Sequence, residues 1–272
     1  MTGERVLVIG DIHNQANDVL PRVEITLARE PMDRVVFLGD YVNQWDNDAQ
    51  REIDSVNCLC DWVLRNSQFV PIDLIVGNHD VAYIMDRTDP CYADILPASP
   101  GFQTAAYSAV HARLADFHWK IALGVGDVLF THAGVTRQWA SSHIPTALPS
   151  AAGVAKALND LGEAGLWWAL YSAGRARGGA GIPGPLWADR SELIAAPLLG
   201  MTQIVGHTPV RSIAPFALPD RHHLVFCDTM SRYGDPRLTA IGDGSFAIVD
   251  ASMQPIQILP LLPDFWPRTL RN

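Results

Sequence analysis

Seven residues have the types and placement needed to bind metal or move protons: Asp11, His13, Asp40, Asn78, His79, His132 and His207. They follow five short apolar runs, each closing on Gly or Thr. The resulting motifs are Gly10-Asp11-Ile12-His13, Gly39-Asp40-Tyr41-Val42-Asn43-Gln44, Gly77-Asn78-His79-Asp80, Thr131-His132-Ala133-Gly134 and Gly206-His207-Thr208-Pro209. One Gly-Asp after an apolar run is ordinarily a turn, and one His is ordinarily a solvated imidazole. Five such endings in one chain are not a coincidence of turns. Oxygen and imidazole donors without thiolate favour Mn, Fe, Zn, Co or Ni over copper(I) or calcium.

The elements that must position these groups can be read around them. Runs at 5–10, 34–38 and 72–76 have the continuous apolar look of strands buried on both faces. Between them, helical periodicity covers about Asn17 to Glu30, with Val19, Leu20, Val23 and Leu27 on one side. It returns over Ala49 to Asn66, with Ile53, Val56, Cys60 and Val63 on a stripe. Strands alternating with helices imply parallel βαβ units, and ligands of such sheets bind outside the carboxyl ends of the strands. From Val81 to about Trp119 the pattern reads as mostly helical. Residues 120–123 and 128–131 flank a turn as a hairpin. Residues 135–200 read as an insertion with a helix near 151–171 and a loop rich in Gly, Ala and Arg near 173–185. Short strands follow at 203–205, 223–227, 238–241, 246–249 and 256–259. No internal repeat or Pro/Ser linker divides the sequence, so residues 1–272 read as one domain with a helical and loop insertion at about 135–200.

Composition sets the outer limits. The 272 residues are 48% hydrophobic and 18% charged, enough apolar material for a sizeable core. A net charge of −9 argues against a nucleic-acid polymer as partner, because such binding draws on Lys and Arg. Lys120 and Lys156 are the only lysines. The four cysteines form no CxxC pair and read as buried free thiols. No apolar run reaches a membrane span and the N-terminus leads straight into a strand, so the expected setting is cytoplasmic, without a membrane partner.

As a set and in this order, the five motifs resemble the calcineurin-like metallophosphoesterase superfamily, in particular its phosphoprotein phosphatase and diadenosine-tetraphosphatase branch. Cys227-Asp228-Thr229 resembles the strand-end Asp-Thr that often follows. The resemblance implies an α/β fold: a two-layered mixed β-sheet sandwich flanked by helices. It implies two divalent metal ions, manganese first, with Asp11, His13 and Asp40 holding one and Asp40, Asn78, His132 and His207 the other. A shared carboxylate of this kind lets two cations sit ~3.5–4 Å apart and clamp attacking and leaving oxygens. The nucleophile would be a metal-bridging hydroxide. His79 would act as general acid with Asp80 orienting its ring; Asp80 also reads as a helix N-cap.

The match breaks after Asp40. The resembled phosphatases have Asp-Arg-Gly where this chain has Asn43, Gln44 and Trp45, and their Arg grips phosphate. A neutral amide cannot copy that bidentate grip. Expected phosphate contacts are therefore Asn78, Asn43, Gln44 and Arg190, the last drawn from Leu186-Trp187-Ala188-Asp189-Arg190. A solvated Arg at a helix start is the competing reading of Arg190, and Arg232 is a weaker candidate. The expected activity is hydrolysis of phosphomonoesters of proteins, nucleotides or metabolites. A nucleoside-polyphosphate hydrolase is the first alternative, and a catalytically silent metal-stabilised binding protein the second.

Overall fold

The computed structural model describes residues 4–43, 48–144, 150–232 and 241–251, together with the backbone of 257–261. Gln44 and Trp45, and most of the strand expected at 238–241, lie outside the described residues. Two mixed sheets flanked by helices make the fold. The strands are β1 (Arg5–Ile9), β2 (Arg34–Phe37), β3 (Ile72–Ile75), β4 (Trp119–Lys120), β5 (Ala122–Val125), β6 (Val128–Thr131), β7 (Thr202–Val205), β8 (Phe216–Ala217), β9 (His223–Phe226), β10 (Phe246–Asp250) and β11 (Gln257–Leu261). The helices are α1 (Ala16–Arg29), α2 (Ala49–Asn66), α3 (Val81–Ile84), α4 (Tyr92–Ile95), α5 (Tyr107–Leu114), α6 (Arg137–His143), α7 (Ala151–Glu163), α8 (Trp167–Leu170) and α9 (Arg190–Ala195).

One sheet has the order β11-β10-β1-β2-β3-β4 and the other β5-β6-β7-β9-β8. In the first, β1, β2, β3 and β4 run parallel, and in the second β6, β7 and β9 do. Side chains alternate across each strand, and burial follows that period of two. Val6, Val8, Val36, Leu38 and Ile75 meet Val128, Phe130, Ile204 and Val225 between the sheets. Leu7, Ile9, Val35 and Phe37 face the other way and join the helices in the larger core. Both faces of β1 and β2 are therefore apolar, which is why their sequences run without a polar break.

α2 matches its expected range because its start is chemically marked. The Asp48 side chain accepts from Arg51 N at 2.8 Å and caps it. The segment 81–119 does not match. It breaks into α3, α4, a 3-10 turn and α5, since Pro90, Pro97 and Pro100 cannot continue a helix. Tyr83, Phe102 and Tyr107 hold the broken segment together, with the Tyr83 and Phe102 ring centres 4.6 Å apart. The expected helix near 151–171 is likewise two pieces, α7 and α8. All four cysteines are free thiols.

Candidate metal centre and cavity

Because β1, β2, β3, β6, β7 and β9 share one direction within each sheet, their carboxyl ends deliver Asp11, Asp40, Asn78, His132, His207 and Asp228 to a common edge. Tight backbone turns make this possible. His13, Asn14, Asp40, Asn43 and His207 all have φ between 37° and 62°, an unfavoured region for residues with a side chain. Gly39 at φ 102° takes the conformation that only glycine accepts freely. Gly206 leaves no room for a Cβ against the Asp11 carboxylate, whose oxygens accept from His207 N at 2.9 and 3.0 Å.

Two donor groups share Asp40. In one, His13 Nε2 lies 4.0 Å from Asp11 Oδ2 and 3.8 Å from Asp40 Oδ2. In the other, His132 Nε2 lies 3.4 Å from Asp40 Oδ2, with His207 completing the group. Asn78 Oδ1 is 2.9 Å from both His132 Nε2 and His207 Nδ1, which are 3.1 Å from each other. The imidazoles are oriented from behind. His13 Nδ1 meets Val42 O at 3.0 Å, and His132 Nδ1 meets Leu38 O at 2.8 Å. Each ring therefore donates its Nδ1 proton to a carbonyl and turns a bare Nε2 inward.

The residues fit divalent cations. Asn78 Oδ1 and His132 Nε2 are both acceptors, yet they stand at contact distance in a buried site. A proton on His207 Nδ1 is the one shared donor, and His207 Nε2 is buried without a partner among the described residues. Mutual spacings near 3 Å are those of adjacent ligand atoms about 2.1 Å from one cation. Charge points the same way. Burial, then Asp228 and Asp40, push the Asp11 carboxyl well above the usual range. Burial pushes Asp40 up too, but His132, His79, His13 and His207 outweigh it and hold Asp40 below the usual range. Burial lowers His132, and burial with His132 as neighbour lowers His207 well below its ordinary value. Neutral imidazoles beside ionisable carboxylates are what a hard-to-borderline cation requires.

A cavity of about 250 Å³ opens over these groups, walled by His13, Asp40, Asn78, His79, Arg177 and Trp187, among others. The sequence profile of the calcineurin-like phosphoesterase family matches residues 4–175, more than half of the chain. The chain belongs to that family. No curated protein matches it. Solved structures similar to this phosphoesterase include a yeast (Saccharomyces cerevisiae) protein serine/threonine phosphatase with similarity to a human phosphatase. It is 15% identical, covers 96% of this chain and 81% of its own, and has a TM-score of 0.49. A protein from Pyrococcus horikoshii OT3 is 13% identical with coverages of 98% and 90% and a TM-score of 0.49. A point mutant of a cold-active protein tyrosine phosphatase is 16% identical with coverages of 94% and 80% and a TM-score of 0.48.

Three expectations about this phosphoesterase's side chains need correction. Asp80 does not orient His79. Its Oδ2 accepts from Asp40 N and Gly77 N, each at 2.8 Å, and its Oδ1 accepts from Tyr41 N at 2.8 Å. Nor does the Asp80 side chain cap α3. It ties the turn after β2 to the turn after β3, and its carboxyl is raised by burial and by Asp40 despite those three donors. The side chain facing the His79 ring is Asn43, 3.3 Å from Nδ1. Arg190 is not in the cavity wall. It is exposed at the start of α9, its guanidinium 5.2 Å from the Phe226 ring centre. The competing reading of Arg190 as a surface residue at a helix start describes it.

Arg177, unlike Arg190, lines the cavity. It comes from the turn between Gly174 and Gly178, donates from Nη2 to Thr208 Oγ1 at 3.0 Å and pairs through Nε with Asp189 at 3.1 Å. Nothing local in the sequence separates it from the exposed Arg175 two residues earlier. Arg232, the weaker candidate, also lines the cavity. Asp228 is buried and points its carboxylate at Ser231, accepting from its N–H at 3.1 Å and its hydroxyl at 2.8 Å. Among the described residues no helix is long and apolar enough to cross a membrane.

Proposed function

We propose that this phosphoesterase hydrolyses phosphomonoesters at a dinuclear metal centre, in the manner of the phosphoprotein phosphatases. The observation that carries the reading is Asp40, held between two donor groups on the floor of a cavity that His79 and Arg177 also line. Asp11, His13 and Asp40 would hold one cation, and Asp40, Asn78, His132 and His207 the other. Such a pair would supply Lewis-acid charge at the phosphoryl oxygens and lower the pKa of water at the site.

The chain's own residues do the rest. Arg177 supplies a charged donor at the cavity wall for the equatorial phosphate oxygens. Asn78 stands among the ligands and lines the cavity, and its Nδ2 has no hydrogen-bond partner among the described residues. His79 delivers a proton to the departing alkoxide. Desolvation lowers its ring to about 4, with Asp40 opposing, so the imidazole rests neutral at pH 7. A bound phosphate dianion adds the negative charge that favours protonating it.

Steady-state hydrolysis of phosphoserine with and without Mn²⁺, for the wild type and His79→Ala, tests the reading. The expected result is metal-dependent turnover that falls on the order of 10²–10⁴-fold in the variant while bound metal is unchanged. Turnover without metal, or none of any phosphate ester with metal bound, would refute it. The second outcome would leave a binding protein. A second reading, hydrolysis of nucleoside polyphosphates, is favoured by the two guanidinium groups, Arg177 and Arg232, lining one cavity. Faster turnover of dinucleoside polyphosphates than of phosphoserine would select it.

A further inference from the structure

Glu52 is wholly buried on α2, and the chemistry described so far gives it no part. Its Oε2 accepts from Asn14 Nδ2 at 2.8 Å and from Asn43 N at 3.3 Å. Its Oε1 lies 2.9 Å from the Asn43 side-chain nitrogen, which also donates to Gly101 O at 3.2 Å in the amide orientation that satisfies every partner. Tyr83 faces the same carboxylate. A carboxylate only accepts, and so does Gly101 O, so the Asn43 amide has one satisfied orientation. Its NH₂ points to Glu52 and Gly101, and its oxygen is left 3.3 Å from His79 Nδ1.

We propose that Glu52, acting through Asn43, is the positioning residue for His79. The relay runs from the Glu52 carboxylate through the Asn43 amide to the imidazole. The Asn43 oxygen favours a donating Nδ1, and the Pro100 carbonyl meets the same ring. Nε2 then takes up a second proton when the phosphate dianion is bound and gives it to the leaving alkoxide, which returns the ring to its neutral Nδ1–H form. This proposal rests on the function inferred above for His79. It also explains Asn at position 43. A second carboxylate there would face Glu52 across 2.9 Å in a buried pocket, an uncompensated pair of like charges. An amide transmits the orientation without that repulsion.

Exchanging the two chemistries tests the relay. In Glu52→Gln the new NH₂ faces the Asn43 NH₂. The Asn43 amide then turns over and offers a donor to His79 Nδ1, which must become an acceptor. In the double variant Asn43→Asp with Glu52→Gln, a carboxylate accepts from His79 and an amide supports it from behind. The first readout is the ¹⁵N spectrum of the His79 ring in the metal-free protein. The expected tautomer is Nδ1–H in the wild type and the double variant, and Nε2–H in Glu52→Gln.

The second readout is leaving-group selectivity of the Mn²⁺-loaded protein. An alkoxide needs His79's proton to depart, whereas p-nitrophenolate does not. Glu52→Gln should lower kcat for phosphoserine by at least ~10-fold relative to p-nitrophenyl phosphate. KM and bound metal should stay constant, and the double variant should recover selectivity. An unchanged tautomer, an equal loss on both substrates, or failure of a folded double variant to recover would overturn the relay. If Glu52→Gln does not fold, the double variant alone decides through its tautomer and selectivity. Wild-type protein that binds metal yet turns over neither substrate would overturn the parent reading and the relay with it. Turnover with uniform losses overturns the relay alone.

Discussion

The Asp80 carboxylate accepts from three backbone amides, and asparagine in its place can accept through only one oxygen. Asp80→Asn should therefore cost roughly 1.5–3 kcal/mol of stability, read from the urea midpoint, and weaken metal binding because Asp40 loses its anchor. Leaving-group selectivity should be unaffected. An Asp80→Asn protein of normal stability but altered selectivity would return Asp80 to the role expected from the sequence. Arg177 supports a second expectation at this scale. Arg177→Ala should reduce kcat/KM for phosphate monoesters ten- to a hundredfold, about 1.4–2.8 kcal/mol, with little recovery in Arg177→Lys. Arg190→Ala should change it less than ~3-fold, because Arg190 lies outside the cavity wall; equal losses at both positions would refute the assignment. Asp11, His13, Asp40, Asn78, His132 and His207 were legible because each sits within four residues of the strand end that aims it. Asp80's partners and Arg177 were not, since they depend on how separate turns pass one another in space. Glu52 carried a readable signal, a carboxylate one helical turn before Val56 on the buried side of α2.

At the scale of elements, the site depends on how closely the turns after β2 and β3 approach. A Cβ at Gly39 would meet the Gly77 backbone at 2.5 Å, and φ there is 102°. Gly39→Ala should cost more than ~2 kcal/mol by urea unfolding, combining backbone strain with the clash. Its metal affinity should fall as well, because Asp40 follows directly. A loss under ~0.5 kcal/mol would mean that the turn relaxes, and that the approach of β2 to β3 is not what places Asp40. Parallel strands and α2 were readable because a continuous apolar run and a capped 3.6-residue stripe are local signals. The stretch 81–119 departs from its expected helix for a physical reason. Its apolar residues recur at helical spacing, but the prolines divide it, and an aromatic cluster supplies the order that backbone hydrogen bonds do not. The break matters for function, since Pro100 and Gly101 form part of the cavity wall and Gly101 O steadies Asn43.

For the molecule as a whole, a cation held by these residues would couple to protons and to stability. Without cations, Asp11, Asp80 and Asp228 carry carboxyls raised mainly by burial. A raised carboxyl holds a proton in the folded state that it gives up on unfolding. Its contribution is complete below the ordinary value of 3.8 and is lost as pH rises through the raised value. The histidines act in the opposite sense. His79, lowered from 6.5 to about 4, refuses a proton that the unfolded chain accepts, so stability falls as pH drops through that window. His132 and His207 are lowered by burial and add to the loss. A cation needs Asp11 ionised and both of these imidazoles neutral, so binding releases protons and strengthens as pH rises. At fixed free Mn²⁺, the increase in Tm over the EDTA-treated protein should therefore be larger at pH 7.5 than at pH 5.5. His132→Ala removes one of the proposed ligands and should reduce the increment. An increment that is flat with pH, or larger at pH 5.5, would mean that the cation does not occupy the carboxylate and imidazole groups around Asp40.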